Sequence, residues 1–313
     1  MPNSKPEKIR SYPFFSLILI AATFIITVTL SDNIAHSVKS GLSLCSNVII
    51  PSVFPFIVLS DFLYAELDFS RMKFISMSFA KIFKINPAGL YPFVLGMLCG
   101  FPLGVKCTAE LYLSGTLSRD EAERLIGFCN NTGPAFLVCG IGMGLRGKVA
   151  DGILLYISMI FSAIMVGIIF SVGRSAFYND EQFHAMPKFS ITASIKNAGA
   201  STINICSYLT FFASIVGLLR NALGHNLLYL SIIPFLEVGS ASSILSKTEL
   251  LIPIHSLALT SFAESFSGLS VHLQALSFIS DTDIRVNKYF TMKLLQGTFS
   301  AVLVLVGARI VCK

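Results

Sequence analysis

The sequence predicts an all-α membrane protein: a polytopic helix bundle that includes discontinuous or re-entrant helices. Charged residues make up 13% of the chain, against about 25% in soluble domains, and hydrophobic residues reach 54%. Uncharged stretches recur at about the 20-residue length that crosses a bilayer. Several of them contain clusters of Gly, Pro or Asn, which interrupt a helix.

The uncharged stretches define the candidate membrane segments in order. The long ones are 14–30, 40–60, 85–105, 125–145, 152–173 and 197–219. The shorter ones, 221–236, 250–263, 265–280 and 294–308, are expected to be short spans or half-helices. The first stretch lacks a signal-peptide cleavage site, so we expect an uncleaved first span.

The positive charges are interpreted as signals of membrane topology. The net charge is +6, but Lys and Arg are scattered between apolar stretches and are not interleaved with aromatic residues. The expected surroundings are therefore a lipid bilayer, and no nucleic acid partner is predicted. Positive residues in 1–13 and in the 66–86 loop place both segments on the cytoplasmic side.

A long polar segment divides the chain into two halves of comparable size. The predicted regions are 1–39 (N-terminal cytoplasmic segment and first span), 40–172 (first half), 173–198 (connecting loop) and 199–313 (second half). The segments 102–116 and 268–282 share five of fifteen residues without gaps, and each begins in a helix-breaking cluster. Interrupted helices at corresponding positions of two halves indicate the binding site of a transporter.

The first predicted break carries Gly100, Pro102 and Gly104, and Lys106 follows it directly. All four are candidate solute-binding residues. Glu110 lies one helical turn after Lys106 and would share its face. Lys106 therefore either contacts a ligand, pairs with Glu110, or reaches the membrane interface.

The second predicted break is the sequence FCNNTGP at 128–134, inside an otherwise apolar stretch. Pro134 suits the first turn of a helix, so a half-helix is expected to begin there and to point its unpaired N–H groups at a solute. The candidate binding residues are Asn130, Asn131, Thr132 and Gly133. Alternatively, the two amides cap the broken backbone and link neighbouring helices. Upstream, Ser118 and Glu121 form a capping box that predicts another helix start.

The second half contributes carboxylates and small polar residues. The candidate binding residues are Glu237, Glu264, Ser267, Gly268, Ser270 and Gln274. Glu237 follows a long uncharged run, so it either binds a coupling ion or proton, or marks the charged end of a loop. His272 either lines the same cavity as Gln274 or packs between helices.

The chain carries no sequence signal for catalysis, a metal or a cofactor. It contains neither a Gly-x-Ser-x-Gly elbow nor a His-Glu-x-x-His motif, and its seven cysteines form no Cys-x-x-Cys pair. The Gly-x-Gly-x-x-Gly match at 142–147 ends an apolar stretch instead of following a strand. An enzyme is therefore not predicted.

Five motifs together resemble the sporulation integral membrane protein YlbJ family. They are GFPLGVK at 100–106, SRDEAERL at 118–125, FCNNTGP at 128–134, FLEVGS at 235–240 and SGLSVHLQ at 267–274. The resemblance extends from about residue 40 to the C-terminus. It implies a multi-pass protein of the bacterial inner (cytoplasmic) membrane with a role in spore formation. Members of the family contain the nucleoside-recognition Gate domain, whose name implies transport with re-entrant hairpins.

The sequence as a whole favours a permease-like protein that moves or binds a small polar solute. The solute would lie in a polar cavity between the two halves. The alternative is a non-transporting membrane protein that organises spore-envelope assembly, in which the same polar residues hold helices together. A homo-oligomer is compatible with either hypothesis.

Overall fold

The protein is an all-α helical membrane bundle, as predicted. The computed structural model describes residues 21, 24–25, 28–66, 73–174 and 190–311. These residues form thirteen α-helices and no strand. Most of the predicted first span, and residues 175–189 of the predicted connecting loop, lie outside this part of the chain.

The first described elements form a bent helix pair. Helix α1 (Ser31–Leu44) continues through a short π-helical turn, Cys45–Ile49, into α2 (Ile50–Glu66). The axis bends by 44° between these segments. Pro55 lies inside α2, where it removes a backbone hydrogen bond.

The rest of the first half consists of short helices separated by breaks, followed by one long helix. These elements are α3 (Lys73–Phe83), α4 (Leu90–Leu98), α5 (Leu103–Leu113), α6 (Arg119–Cys129), a π-helix (Ala135–Leu145) and α7 (Val149–Ile169). The predicted capping box is present, because Ser118 and Glu121 exchange side-chain and backbone hydrogen bonds at the start of α6. The π-helix approaches α7 closely: a Cβ at Gly142 would lie 2.8 Å from the Gly152 Cα.

The second half has a similar sequence of elements. They are α8 (Ile191–Leu223), α9 (Leu227–Leu236), α10 (Val238–Lys247), α11 (Pro253–Phe266), α12 (Gly268–Ile279) and α13 (Asn287–Val311). Helix α8 begins inside the segment 173–198 that the sequence predicted as a loop. Ser190 caps it by accepting a hydrogen bond from the Ala193 nitrogen.

Three helices in the described residues are long and apolar enough to cross a membrane. They are Val149–Ile169, Ile191–Leu223 and Asn287–Gly307, and the bent pair would make a fourth. The stretch 294–308 was predicted as a short span or half-helix, and this was wrong: it belongs to the 25-residue α13. The uncharged stretch starts just after Lys293, but α13 continues through this lysine because its side chain is fully buried.

The lipid-facing surface is visible on α7. Large apolar side chains at intervals of three or four residues are about half exposed, as expected for one helix face in lipid. They are Ile153, Ile157, Phe161, Met165 and Ile168. Ser158 and Ser162, on the opposite face, are buried.

The two halves repeat one order of elements and contacts. In the first half, α4 and α5, then α6 and the π-helix, form two broken pairs before α7. In the second half, α9 and α10, then α11 and α12, precede α13. Helix α4 packs on α6 as α9 packs on α11, and α13 packs on both α6 and α7. This order matches α5 with α10, whereas the gapless sequence comparison pairs α5 with α12.

Candidate functional site

The two breaks of the first half touch each other through glycine. Gly100 has a φ of 84°, in the left-handed region, and a Cβ there would lie 2.7 Å from the Gly133 nitrogen. Gly104 packs with similar closeness, because a Cβ on it would lie 2.2 Å from the Cys129 oxygen. Any larger residue at these positions would push the two breaks apart.

The two breaks of the second half also touch. A Cβ at Gly268, whose φ is 56°, would lie 3.2 Å from the Leu236 oxygen and 3.3 Å from the Glu237 nitrogen. Ser267, between α11 and α12, has a φ of 83°, which is unfavourable for a residue with a side chain. This strained backbone brings the start of α12 against the start of α10.

One buried carboxylate connects the halves. Glu264, near the end of α11, is 1% exposed. Its Oε2 lies 2.9 Å from the Thr132 hydroxyl of the first half, and its Oε1 accepts a 2.6 Å hydrogen bond from the Ser242 hydroxyl. The Thr132 hydroxyl also lies 3.1 Å from the main-chain oxygen of Glu264.

Three of the breaks and the start of α12 line one small cleft. Six of the predicted site residues line it: Gly100, Thr132, Gly133, Glu237, Ser270 and Gln274. Apolar side chains, among them Phe136 and Leu209, complete the walls. The cleft offers about 40 Å³ for the centres of water-sized molecules, which corresponds to roughly three waters. Whether these residues bind a solute stays a prediction.

Several polar atoms at the second-half side of the cleft have no hydrogen-bond partner within the described structure. Ser270 Oγ and Gln274 Nε2 belong to residues that line the cleft and are almost fully buried. The Oγ atoms of Ser265 and Ser267 lie beside the break before α12 and also lack partners. Such buried atoms are costly unless water or a ligand pairs with them.

Glu237 acts as the N-terminal cap of α10. Its Oε1 accepts a 2.8 Å hydrogen bond from the Gly239 nitrogen, and its Oε2 accepts one from the Ser240 nitrogen. The side chain is 1% exposed, so the negative charge lies buried at the positive end of a helix dipole. A carboxylate offers about four lone-pair sites, so Glu237 can still accept another hydrogen bond.

The predicted binding residues Asn130 and Asn131 do not line the cleft. Asn130 Nδ2 donates to the Tyr289 hydroxyl at 3.0 Å. Asn131 Nδ2 donates to the Phe128 oxygen at 2.7 Å, and its Oδ1 accepts from Gln296 Nε2 at 2.6 Å. These contacts correspond to the capping and linking alternative, because they tie the second break to α13.

The partners of this break are residues that the sequence analysis missed. Lys293 is fully buried, and its Nζ donates to the Asn130 oxygen at 2.7 Å and to Gln296 Oε1 at 2.8 Å. Tyr289 also reaches His272, whose Nδ1 lies 2.8 Å from the Tyr289 hydroxyl. The available signal was the spacing of positions 289, 293 and 296, which places all three on one face of a helix.

The remaining candidates lie outside the cleft. Lys106 is half-buried on α5, and no ion pair joins it to the exposed Glu110 in the described part of the chain. Pro102 precedes α5, where it belongs to the packed turn between α4 and α5. A ligand role for Lys106 stays a prediction.

A charged cluster connects α6 to the start of α13 at one end of the bundle. Asp120 pairs with Arg124 at 3.0 Å and with Lys288 at 2.8 Å. Burial alone would raise the pKa of Asp120, but the hydrogen bonds from Lys288 and Arg124 outweigh it and leave the pKa below its usual value. The Tyr112 hydroxyl donates to Asp283, and this hydrogen bond lowers the pKa of that carboxyl as well.

Comparison with known proteins gives one informative relative. The chain is 27% identical to the sporulation integral membrane protein YlbJ of Bacillus subtilis (strain 168), over 85% of this chain and 76% of the relative. No protein-family model and no solved structure matches the chain. The similarity confirms the resemblance seen in the motifs, while its Gate-domain part stays a prediction.

Proposed function

We propose, since this chain belongs to the family of the sporulation integral membrane protein YlbJ, that it acts in sporulation as a permease-like protein. A small polar solute binds in the cleft that three helix breaks and the start of α12 line. The two halves then move relative to each other to expose the cleft alternately on the two sides of the membrane.

The unpartnered atoms at the cleft carry this proposal. Ser270 Oγ and Gln274 Nε2 are buried without a hydrogen-bond partner in the described structure, and both residues line the cleft. An unsatisfied buried polar group costs about 1–3 kcal/mol, so a solute that pairs with both groups gains affinity. Waters can occupy the same positions while no solute is bound.

The lining indicates the chemistry of the solute. Gln274 Nε2 is a donor and requires an acceptor, such as a carbonyl or hydroxyl oxygen. Glu237 lines the same cleft and offers further lone pairs, so it favours a donor such as an amide, amino or hydroxyl group. The space for about three waters suits a compact solute, and a nucleoside requires a wider conformation.

Ligand-induced thermal stabilisation tests the proposal. The purified protein in lipid nanodiscs is heated with nucleosides, amino acids, organic anions and divalent cations in turn. We expect at least one compound to raise the melting temperature, because a ligand at 100 times its Kd adds about 2.7 kcal/mol of stability. The double variant Ser270→Ala, Gln274→Leu should lose this response, and Ser280→Ala, at the exposed end of α12, should keep it.

Two results would overturn the proposal. Either no compound stabilises the wild-type protein, or the double variant responds as the wild type does. Uptake of the stabilising compound into liposomes that contain the protein then separates transport from binding alone.

The second candidate function is the organisation of spore-envelope assembly without transport. The contacts of Asn130 and Asn131 favour this second function. Both side chains hold the break against α13, and other residues line the cleft. In this case, the double variant at Ser270 and Gln274 would support normal spore formation. A change at an exposed loop residue, such as Lys148→Glu, would impair it.

A further inference from the structure

We infer that Glu264 is a proton-binding site: in this conformation it holds a carboxylic-acid proton, which completes the hydrogen bonds between the two halves. The site is separate from the solute-binding atoms of Ser270 and Gln274. Its evidence is the geometry around one threonine hydroxyl.

The Thr132 hydroxyl has two neighbours that both act as acceptors when Glu264 is ionised. It lies 3.1 Å from the main-chain oxygen of Glu264 and 2.9 Å from Oε2 of the same residue. A hydroxyl has one hydrogen, and a main-chain oxygen can only accept. If Thr132 donates to the main-chain oxygen, the 2.9 Å contact needs a hydrogen on Oε2. The protonated carboxyl supplies this hydrogen. Glu264 Oε2–H then donates to Thr132 Oγ1, and the Thr132 hydroxyl donates to the main-chain oxygen of Glu264.

The other carboxyl oxygen fits the same protonation state. Ser242 Oγ donates to Glu264 Oε1 at 2.6 Å, as it would to the carbonyl oxygen of a carboxylic acid. In the protonated form, Glu264 and Thr132 make every hydrogen bond that their geometry offers. In the ionised form, one acceptor beside the Thr132 hydroxyl loses its hydrogen.

The charges around Glu264 favour the proton. No ion pair within 4.0 Å joins Glu264 to a basic side chain in the described residues. The negative charge of Glu237 acts on Glu264, and two carboxylates at membrane depth do not readily ionise together. Lys293, on the adjoining α13, is committed to Asn130 and Gln296.

The other ionisable groups on the elements packed against α11 form no ion pair or hydrogen bond with Glu264 in the described residues. They are Asp151 and Tyr156 on α7, Tyr229 on α9 and Lys247 on α10. Asp151 pairs with Arg146 at 2.7 Å, and Tyr156 donates to the Met97 oxygen at 3.1 Å. His272 on α12 faces Tyr289.

Release of the proton has a defined consequence. The charge on Glu264 then repels Glu237. Oε2 can no longer donate to Thr132, so the Thr132 hydroxyl is left with two acceptors for one hydrogen. Because Thr132 belongs to the first half and Glu264 to the second, one of these two hydrogen bonds between the halves is lost when the proton leaves. That this proton is also the coupling ion of a permease rests on the proposed function.

Infrared difference spectroscopy tests the proton site directly, without a solute. The C=O stretch of a protonated carboxyl is recorded for the protein in an ester-free detergent at neutral pH. We expect a band in the wild type that is absent from Glu264→Gln and retained in Glu237→Gln. Glutamine preserves the shape and both hydrogen bonds, because its NH₂ can donate to Thr132 and its oxygen can accept from Ser242.

A second variant tests the bond itself and does not depend on the folding of Glu264→Gln. Thr132→Ala should keep the protonated-carboxyl band but shift its frequency, because the hydroxyl that accepts from Oε2 is gone. Thr132→Ser should leave the frequency close to that of the wild type. In the wild type, the band should also disappear reversibly at high pH.

Any of three results overturns the inference. The first is a wild-type protein without a protonated-carboxyl band at neutral pH. The second is a band that survives in Glu264→Gln, and the third is a band that does not move in Thr132→Ala. All of these readouts are independent of solute binding, so they stay informative if no solute is found.

Discussion

The side-chain nitrogen of Lys293 donates a 2.7 Å hydrogen bond to the main-chain oxygen of Asn130, where α6 ends. The C-terminal end of a helix carries a partial negative charge, which a cation stabilises. In transporters with broken helices, such ends coordinate the coupling Na⁺ or H⁺. Here the side-chain nitrogen of Lys293 occupies that position, so the donor to this helix end is covalently part of the protein.

Substitution of Lys293 by Met should destabilise the protein by about 1–3 kcal/mol. The change leaves the Asn130 oxygen and Gln296 Oε1 without their donor in a buried site. Chemical denaturation in mixed micelles measures the effect. Lys196→Met, at an exposed position of α8, is the matched control and should change stability by less than about 0.5 kcal/mol. Equal stability of both variants would mean that relief from burying the ammonium offsets the lost hydrogen bonds.

Gln296 and Asn131 should be energetically coupled. Gln296 Nε2 donates to Asn131 Oδ1 at 2.6 Å, so replacing both residues removes an interaction that each single change already breaks. A double-mutant cycle with Gln296→Leu and Asn131→Leu should give a coupling energy of about 0.5–3 kcal/mol. As the control, Gln296→Leu combined with Ser78→Ala, at a partly buried position of α3, should be additive. Additivity in both cycles would contradict a direct bond between α13 and the second break.

Gly100→Ala should cost more stability than Gly115→Ala. Both glycines have a positive φ, 84° and 77°, so both variants incur roughly 1–2 kcal/mol of backbone strain. Only at Gly100 does the added methyl meet another break, 2.7 Å from the Gly133 nitrogen, whereas nothing lies within 4 Å of a Cβ at Gly115. The difference between the two variants should therefore be about 1–3 kcal/mol, which is the usual cost of overpacking. Similar melting temperatures would show that the first-half breaks separate without penalty.

The cluster around Asp120 should make stability sensitive to acid. Its pKa lies below the ordinary value of 3.8 in the folded protein, so its contribution is complete above that value and is lost as the pH falls through the folded pKa. Unfolding measured from pH 6 down to about pH 2 should show a smaller acid-induced loss for Asp120→Asn than for the wild type. Asp281→Asn, at an exposed carboxylate near the same end of the bundle, should retain the wild-type loss.

The breaks were predictable from the sequence because they depend on local chemistry. Gly100 and the Asn-Asn-Thr-Gly-Pro run at 130–134 interrupt uncharged stretches of membrane length, and no continuous helix accommodates them. Glu121 likewise revealed the start of α6 through the capping box. The prediction that breaks from both halves come together rested on their corresponding positions in the two halves. Six candidate residues do share one cleft.

The role of α13 was not predictable in this way. A lysine at the edge of an apolar stretch usually extends to the membrane interface, and Lys293 has that sequence context. Its burial depends on contact with a break 163 residues earlier, which no local pattern records. For the same reason the local sequence could not separate the alternatives for Asn130 and Asn131, since the choice depends on which helix lies beside them.

The dependence of the second break on α13 has a consequence for biosynthesis. Asn130 enters the membrane 163 residues before Lys293 is translated, which at about 5–20 residues per second is a delay of roughly 10–30 s. During that interval the nascent chain holds an open helix end at membrane depth without its permanent partner, and water or the insertion machinery has to satisfy it. The first half therefore completes its interior only when α13 arrives.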